Sequence, residues 1–333
     1  MKPSNVKTSQ WLQYNFLFFA EHILGEKWYQ KTFGSTEKKL YREIEKYASE
    51  HPNTDNFRVI EYKKGEYTDP VKDDHCPIVF RGAASDWPCQ GKWNFDYFKE
   101  KYGHEDVTLV NNPGLIKDTD QAYDVVKFSE YIDNMKQGSK RYLKFSRIVD
   151  EQSGLRQDFD YGWLRKFRPS GAQNDLNYFF MGGKNTMTPI HDGFAITIFV
   201  QIEGIKRWVF YPTNHRLFIG VRPRRYNYFY SDADPYKLDD PRYPLLRLAQ
   251  RTEVLLYPGD VLYFPSLVWH QVENVTDSIG VAYKFATLKA GFTSSKMLFL
   301  CFLLATKPPL INTFLPWKKD ILEYKKPGKA ATA

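Results

Sequence analysis

The sequence predicts a mainly β-protein, built as a barrel or sandwich of short strands with helical segments at both ends. Three observations predict this class. Short β-branched and aromatic runs, separated by turn residues, begin at Phe57 and continue to Phe285. The residues before Phe57 instead carry charged stretches with helical spacing. Aromatic residues make up 17% of the 333 residues, which is enough to fill a large core.

The N-terminal region, residues 1–56, is predicted to be helical. In the stretch STEKKLYREIEKYASEH, Ser35 can cap a helix, and Lys/Glu pairs recur at helical spacing. The earlier run WLQYNFLFF is apolar only in part, because Gln13, Tyr14 and Asn15 interrupt it, and no small-residue cleavage site follows. We therefore expect no secretory signal peptide here.

Residues 57–290 are predicted to form the β-domain. The strand candidates are FRVIEY, PIVFRG, VTLV, RYLKF, NYFFMGG, AITIFVQIEG, KRWVFYP, EVLLYPGD, VLYFP and SIGVAYKF. Many short strands are typical of a barrel or a sandwich. A long irregular segment between Asn214 and Arg251, rich in Arg, Tyr, Asp and Pro, has a length typical of lids and binding loops. We expect this insertion on the substrate side.

Residues 291–333 are predicted to form a helical segment followed by a Lys-rich tail. The run MLFLCFLLA (Met297–Ala305) has about half of the roughly 20 apolar residues needed to span a bilayer, so it predicts a buried or surface-seeking helix. The tail lysines at positions 318, 319, 325 and 326 are expected to be solvated, and together with this run they would allow peripheral contact with an anionic membrane. The N-terminal helices and the segment near Leu300 are also candidates for a homodimer contact.

Charge and cysteine content narrow the function classes. Lys and Arg outnumber Asp and Glu by 47 to 39, an excess that favours anionic partners without naming one, and nucleic acid is not the expected partner. The three cysteines, Cys76, Cys89 and Cys301, are widely spaced and lack the pairing of a zinc site. This pattern suits a reducing compartment, and we expect a cytoplasmic protein.

Three features of the β-domain indicate one chemical site. The motif TPIHDG (Thr188–Gly193) enters a β-run and places His191 near the start of a strand. Lys206 begins the following strand, and in PGDVLYFPSLVWHQVEN the residue His270 begins another. Inward-facing side chains of neighbouring strands in a small barrel point into the same interior, so the two imidazoles can converge on a metal. Imidazole suits iron, copper, zinc and nickel alike.

These motifs also carry a family resemblance. The stretch CPIVFRGAASDWPCQGKWNFDYFKEKYG, then TPIHDG with VQIEGIKRWVFYP, then PGDVLYFPSLVWHQVEN resemble, in order and spacing, the cupin-like JmjC family of oxygenases. The resemblance runs from about Phe57 to Leu288. It implies a double-stranded β-helix of the cupin or jelly-roll type, with Fe(II) as the metal and 2-oxoglutarate as the co-substrate.

The resemblance assigns roles to five side chains. His191 matches the first iron ligand of the family and His270 matches the last. Lys206 matches the basic residue that pairs with the distal carboxylate of 2-oxoglutarate, and Thr188 matches a hydroxyl that binds the same carboxylate. Thr197, six positions after the first ligand, matches a residue close to the co-substrate. An ammonium group beside a hydroxyl, on a barrel wall that excludes water, can bind a small dianion through charge-assisted hydrogen bonds.

The chain departs from the family at the second iron ligand, a carboxylate two residues after the first histidine. That position is Gly193, which leaves an open ligand position, and the neighbouring Asp192 is expected on the opposite face of the strand.

Three hypotheses about the ligand position at Gly193 follow. A halide such as chloride fills the position, as in the iron and 2-oxoglutarate halogenases, which show a similar His-x-Gly or His-x-Ala pattern. Alternatively, Asp192 reaches the metal through a bulge, or water fills the gap, and the protein remains a hydroxylase. In the third hypothesis the barrel is an inactive binding or adaptor module.

Two further features have both a functional and a structural interpretation. Arg222–Arg225, followed by YNYFY, mixes cations and aromatic rings. This composition is compatible with binding of an anionic substrate, and it is equally typical of an ordinary packed loop. His215 could line the pocket or form hydrogen bonds within its loop. The sequence does not identify the substrate, which could be a small molecule or a protein.

Overall fold

The computed structural model describes residues 2–67, 75–110, 123–223 and 229–305. The helices of this part are α1 (Thr8–Leu24), α2 (Glu26–Glu50), α3 (Pro88–Lys92), α4 (Phe95–Tyr102), α5 (Phe128–Lys136), α6 (Ile148–Glu151), α7 (Ser153–Arg156), α8 (Tyr161–Arg165), α9 (Leu288–Ser294) and α10 (Lys296–Leu303). Its strands are β1 (Ile60–Tyr62), β2 (Ile78–Phe80), β3 (Asp106–Val110), β4 (Tyr123–Lys127), β5 (Tyr142–Ser146), β6 (Gln173–Gly182), β7 (Met187–His191), β8 (Ile196–Glu203), β9 (Lys206–Tyr211), β10 (Thr252–Leu256), β11 (Val261–Phe264), β12 (Trp269–Asn274) and β13 (Ser278–Ala286).

The strands form two sheets. The larger sheet has the order β1-β2-β11-β8-β13-β6-β5-β3-β4, and the smaller one has the order β10-β9-β12-β7. All neighbouring strands pair antiparallel except β1 and β2. Within the described ranges the sheets do not close into a continuous barrel, and the architecture is the jelly-roll type predicted from the sequence.

One apolar core lies between the two sheets. Trp208 and Phe210 of β9 point into it, and so do Phe199 of β8 and Leu262 of β11. The intervening residues of the same strands are also apolar, because both faces of each sheet are covered. Val209, for example, packs on the outer face of the smaller sheet, in a different cluster from its two neighbours.

Helices cover both outer faces. Helices α3 to α8 contribute to the cluster on the outside of the larger sheet, where Trp93 and Phe98 are fully buried. Helices α1, α2 and α10 pack on the outside of the smaller sheet. The predicted terminal helices are therefore confirmed. In α10, Leu298 and Cys301 are fully buried, whereas Leu300 is 40% exposed. No helix in the described part of the chain is long and apolar enough to cross a membrane.

The described part of the 214–251 insertion packs with the N-terminal helices. Phe218, Ile219 and Leu245 are buried in the same cluster as α1 and α2. Residues 229–231 return along the edge of β7, where the Ser231 amide donates to the Ile190 carbonyl. The insertion thus packs on the helical layer and also reaches the site, because Tyr230 pairs with His191. Its predicted role as a substrate-side loop stays a prediction.

Some predictions fall beyond the described ranges. The tail lysines at positions 318, 319, 325 and 326 and the residues 224–228 lie outside them.

Cys76, Cys89 and Cys301 are buried and form no disulfide. Leu12, Phe16 and Trp28 of the N-terminal helices are more than half exposed. The homodimer contact expected on these helices remains a prediction.

Candidate metal and co-substrate site

His191 and His270 lie side by side on two paired strands, β7 and β12. His191 ends β7 and pairs with His270 near the start of β12, because the two strands run antiparallel. Their ring centroids are 4.2 Å apart. Both rings line one cavity between the sheets, so the tertiary structure brings together the two residues predicted as metal ligands.

The hydrogen bonds of the two rings fix their tautomers. Nδ1 of His191 lies 2.8 Å from the Pro189 carbonyl oxygen, and Nδ1 of His270 lies 2.9 Å from the Val268 carbonyl oxygen. A carbonyl oxygen only accepts, so each Nδ1 carries the proton and donates it. Each Nε2 therefore keeps a lone pair, and the backbone bond orients the ring as metal-bound histidines require.

Burial keeps both imidazoles uncharged. It lowers the pKa of His191 to about 3 and the pKa of His270 well below its usual value. The positive charges of Lys284 and Lys144 lower the pKa of His191 further. A neutral imidazole is the form that binds a metal ion, so the pair is ready for one at neutral pH.

Acidification is expected to destabilise the metal-free protein. The folded state keeps His191 neutral down to about pH 3, whereas an exposed imidazole titrates near 6.5. The unfolded chain binds more protons in this window, so the free energy of unfolding falls as the pH is lowered through it. Between about pH 6.5 and 5 one such imidazole contributes a loss of about 1 to 2 kcal/mol. Urea unfolding over this range should show the loss, and a His191→Leu variant should show less of it. Equal pH slopes in both proteins would contradict the explanation.

Gly193 and Asp192 occupy different environments. A Cβ atom built on Gly193 meets no described atom within 4 Å, so this position has free space. Asp192 is buried, and its Oδ1 accepts from the Phe229 amide at 3.0 Å, beside the outer cluster that contains Ile190. Burial raises the pKa of Asp192 to about 7. Asp192 does not line the cavity, in agreement with its expected orientation by strand alternation.

Lys206 lies fully buried at the other end of the cavity. Its Nζ donates to the Tyr142 hydroxyl at 3.1 Å and to Oδ1 of Asn274. Among the described residues, no carboxylate forms an ion pair with it. Burial, and then the charge of Lys144, lower the pKa of Lys206 to about 7. A buried ammonium group with neutral partners is unfavourable unless an anion compensates it.

The cavity connects the histidines with Lys206. Its volume is about 40 Å³, and it opens to solvent on one side. Thr188 and Thr197 line it, as the resemblance implies. Its lining is Tyr142, Phe145, Phe180, Thr188, His191, Thr197, Phe199, Lys206, Trp208, Phe264, His270, Val272, Ala282 and Lys284. Two neutral imidazoles and a buried ammonium group in one cavity have the chemistry to hold iron and a dicarboxylate such as 2-oxoglutarate, except that no carboxylate of the lining supplies a third ligand.

Sequence reasoning missed three side chains near this cavity. Tyr142 and Lys144 lie on β5, and Lys284 lies on β13. The available signal was a charged residue inside an apolar strand, as in RYLKF and SIGVAYKF. Lys144 and Lys284 are half-buried, and a lysine is rarely drawn into a core unless a partner compensates its charge.

His215 and Arg222, the two residues with alternative interpretations, have structural contacts. Nδ1 of the buried His215 accepts from the Gln250 amide, and its Nε2 faces Asn53 and Asp55. Arg222 forms ion pairs with Glu21 and Glu37 of the N-terminal helices. Neither residue lines the cavity.

Comparison with known proteins supports the assignment of this fold. The model of the family described as the cupin-like domain matches residues 68–290. The chain is 27% identical over 219 residues to lysine-specific demethylase JMJ30 of Arabidopsis thaliana, covering 62% of this chain and 49% of that protein. It is 25% identical over 257 residues to human HSPB1-associated protein 1, covering 64% and 50%. It is 27% identical over 250 residues to the mouse 2-oxoglutarate and iron-dependent oxygenase JMJD4, covering 66% and 58%.

The chain spans about half the length of the curated relatives it matches. The family match covers the described strands from β2 to β13, including both histidines and Lys206. We conclude that the chain belongs to the cupin-like domain family, in its JmjC branch.

Proposed function

We propose that this protein is an Fe(II)- and 2-oxoglutarate-dependent enzyme that oxidises a C–H bond of its substrate. The observation that carries the proposal is the buried Lys206 ammonium group in the same cavity as two neutral histidines, each oriented by a hydrogen bond from Nδ1 to a backbone carbonyl. One relative is named a 2-oxoglutarate and iron-dependent oxygenase, and others are named demethylases, which agrees with this reaction class.

The residues have separate tasks in this proposal. His191 and His270 would hold the iron, and Lys206 with Tyr142 and Thr188 would bind the distal carboxylate of 2-oxoglutarate. When bound, iron and 2-oxoglutarate supply the oxidising equivalents from O₂ while 2-oxoglutarate is converted to succinate and CO₂. The aromatic wall of the cavity would exclude water, which strengthens the electrostatic interactions inside.

Hydroxylation and halogenation are two finer versions of the proposal. Hydroxylation converts R–H, 2-oxoglutarate and O₂ into R–OH, succinate and CO₂. Halogenation additionally consumes chloride and a proton, and yields R–Cl, succinate, CO₂ and water. The free space at Gly193 favours the second version, because a halide can bind only where no carboxylate occupies the ligand position.

An anaerobic titration tests the proposal. Fe(II) and 2-oxoglutarate are added to the protein while the visible charge-transfer band of the ternary complex is monitored, and succinate is then measured after air is admitted. We expect the band and slow succinate formation, and a band that changes with chloride would support halogenation. Absence of both band and succinate would instead support the inactive binding or adaptor module.

Gly193→Asp is expected to supply the missing ligand. The free space at this position accommodates the side chain, and a third ligand should raise Fe(II) affinity by roughly 10-fold or more while suppressing any halogenation. Affinity is measured by competition with a chelating dye. A variant that halogenates as well as the parent would contradict the role of the open position.

Asp192→Asn is the matched control for this variant. An asparagine Oδ1 can still accept from the Phe229 amide, so the fold should be retained. We expect Fe(II) affinity within about two-fold of the parent, because Asp192 lies off the cavity. A large loss of iron in this variant would show that Asp192 reaches the metal.

A further inference from the structure

The cavity carries more positive charge than one dicarboxylate co-substrate requires. Besides Lys206, Lys284 of β13 lines it, and Lys144 of β5 lies close enough to lower the pKa of both Lys206 and His191. In the described residues, no Asp or Glu lines this cavity. The Lys206 and Lys284 ammonium groups therefore share one cavity with two neutral imidazoles, and the Lys144 charge lies close to it.

Irregularities in the strands position the two additional lysines. The register of β5 against β6 shifts between Leu143 and Ser146, and Phe145 has a positive φ of 57°. The register of β13 against β6 also shifts directly after Lys284. Such bulges redirect side chains, and a positive φ in a bulky residue is a costly conformation that occurs mainly at functional sites. The irregular segment of β5 contains Lys144 and the cavity-lining Phe145.

The surroundings of Lys284 leave its charge uncompensated by protein carboxylates. Its Nζ lies 5.7 Å from the ring centroids of both Phe145 and Tyr178. No Asp or Glu of the described ranges forms an ion pair with it. Lys144 Nζ lies 3.5 Å from the Met187 carbonyl oxygen and 5.0 Å from the Tyr142 ring. Burial lowers the pKa of Lys144 to about 7 and that of Lys284 to about 8.

We infer that the substrate carries an anionic group, a carboxylate or a phosphate, which Lys284 binds beside the two histidines, with the positive charge of Lys144 close by. This inference rests on the proposed function. A second anion in the cavity offsets the cost of burying like charges, and it forms charge-assisted hydrogen bonds with the ammonium groups. A cationic substrate such as a methylated lysine side chain would instead add to the repulsion. The named activity of the demethylase relatives therefore does not extend to this chain in the proposal.

Binding in the absence of turnover tests the inference. The protein is loaded with Mn(II) and saturating 2-oxoglutarate under anaerobic conditions, so that the co-substrate occupies Lys206. Propionate, propionamide, propylammonium and inorganic phosphate are then titrated, and the paramagnetic relaxation of the probes reports binding close to the metal. We expect propionate or phosphate to bind, and the amide and the ammonium probe to bind at least about 10-fold more weakly. The stronger of the two anions identifies the substrate group.

Substitutions at Lys284 test whether this lysine binds the anion. Lys284→Met should weaken anion binding by about 10-fold to 100-fold, which is the effect of losing one charge-assisted hydrogen bond. Lys284→Arg should restore part of it, and Lys144→Met should weaken it as well. Lys101→Met, at an exposed position on α4, is the control for removal of a positive charge. Thermal unfolding of each variant verifies that it is folded.

The outcomes separate this inference from the proposed function. Failure of the parent to bind Mn(II) and 2-oxoglutarate would count against the proposed function itself. Normal binding of both, with no selectivity for anions or with none of the probes bound, would overturn only the inference. A Lys284→Met variant that loses 2-oxoglutarate affinity but not anion affinity would assign Lys284 to the co-substrate, and the inference would again be wrong.

Discussion

Lys206→Met is expected to weaken 2-oxoglutarate binding strongly and, at the same time, to stabilise the ligand-free protein. Lys206 is fully buried, and its ammonium group donates to the neutral Tyr142 hydroxyl and Asn274 side chain. Loss of a buried charge partner typically costs about 2 to 5 kcal/mol of binding, so 2-oxoglutarate affinity should fall by roughly 30-fold to more than 1,000-fold. Calorimetric titration measures this change.

The gain in stability follows from the lowered pKa of Lys206. Its pKa is about 7 in the folded state and 10.5 when exposed, so the unfolded chain binds an additional proton between these values. The free energy of unfolding therefore rises with pH across this window, and the cost of the buried charge is fully present below about pH 7. Methionine removes that cost but leaves the Tyr142 hydroxyl and the Asn274 side chain without their donor. The net gain at neutral pH should be about 1 to 3 kcal/mol.

Thermal unfolding at two pH values checks the explanation. The difference between Lys206→Met and the parent should be largest near neutral pH and should shrink towards about pH 10, where the parent lysine is already neutral. Lys101→Met, on the exposed face of α4, should change neither stability nor co-substrate affinity. A Lys206→Met variant with unchanged 2-oxoglutarate affinity would contradict the proposal that Lys206 binds the co-substrate.

His191→Gln and His270→Gln are each expected to lower Fe(II) affinity by at least about 100-fold and to abolish succinate formation. The described site supplies two imidazoles and no carboxylate, so loss of one leaves a single protein ligand. Removal of a partner that only orients a metal ligand already costs about 10-fold to 100-fold, and removal of a ligand should cost at least as much. Iron content after gel filtration and the charge-transfer band both report this loss.

His215→Gln is the control for these two variants. His215 is fully buried, but its hydrogen bonds join the insertion to Asn53, Asp55 and Gln250. Its replacement should lower the thermal stability while Fe(II) affinity stays within about two-fold of the parent. Retention of iron by both His191→Gln and His270→Gln would show that the metal is bound elsewhere.

The sequence by itself determined the fold class, and it predicted the three principal residues of the candidate site. Strand alternation and turn residues predicted the β-domain, and the positions of His191, Lys206 and His270 on different strands predicted that they face one interior. The structure places all three along one cavity. A strand has a fixed two-residue period, so the face of each residue follows from local order. The orientation of Asp192 away from the cavity follows from the same rule.

Only the tertiary structure decided which distant residues complete the site. Tyr142 contacts Lys206 across 64 positions of the chain, and β5 meets the cavity only through its pairing with β6. The positions of Lys144 and Phe145 depend on a bulge, which interrupts the alternation that sequence reasoning uses. The outer packing of the 214–251 insertion depends on helices α1 and α2, from which it is separated by more than 160 residues. Contacts of this kind arise from the packing of whole layers, and the local pattern of residues does not encode them.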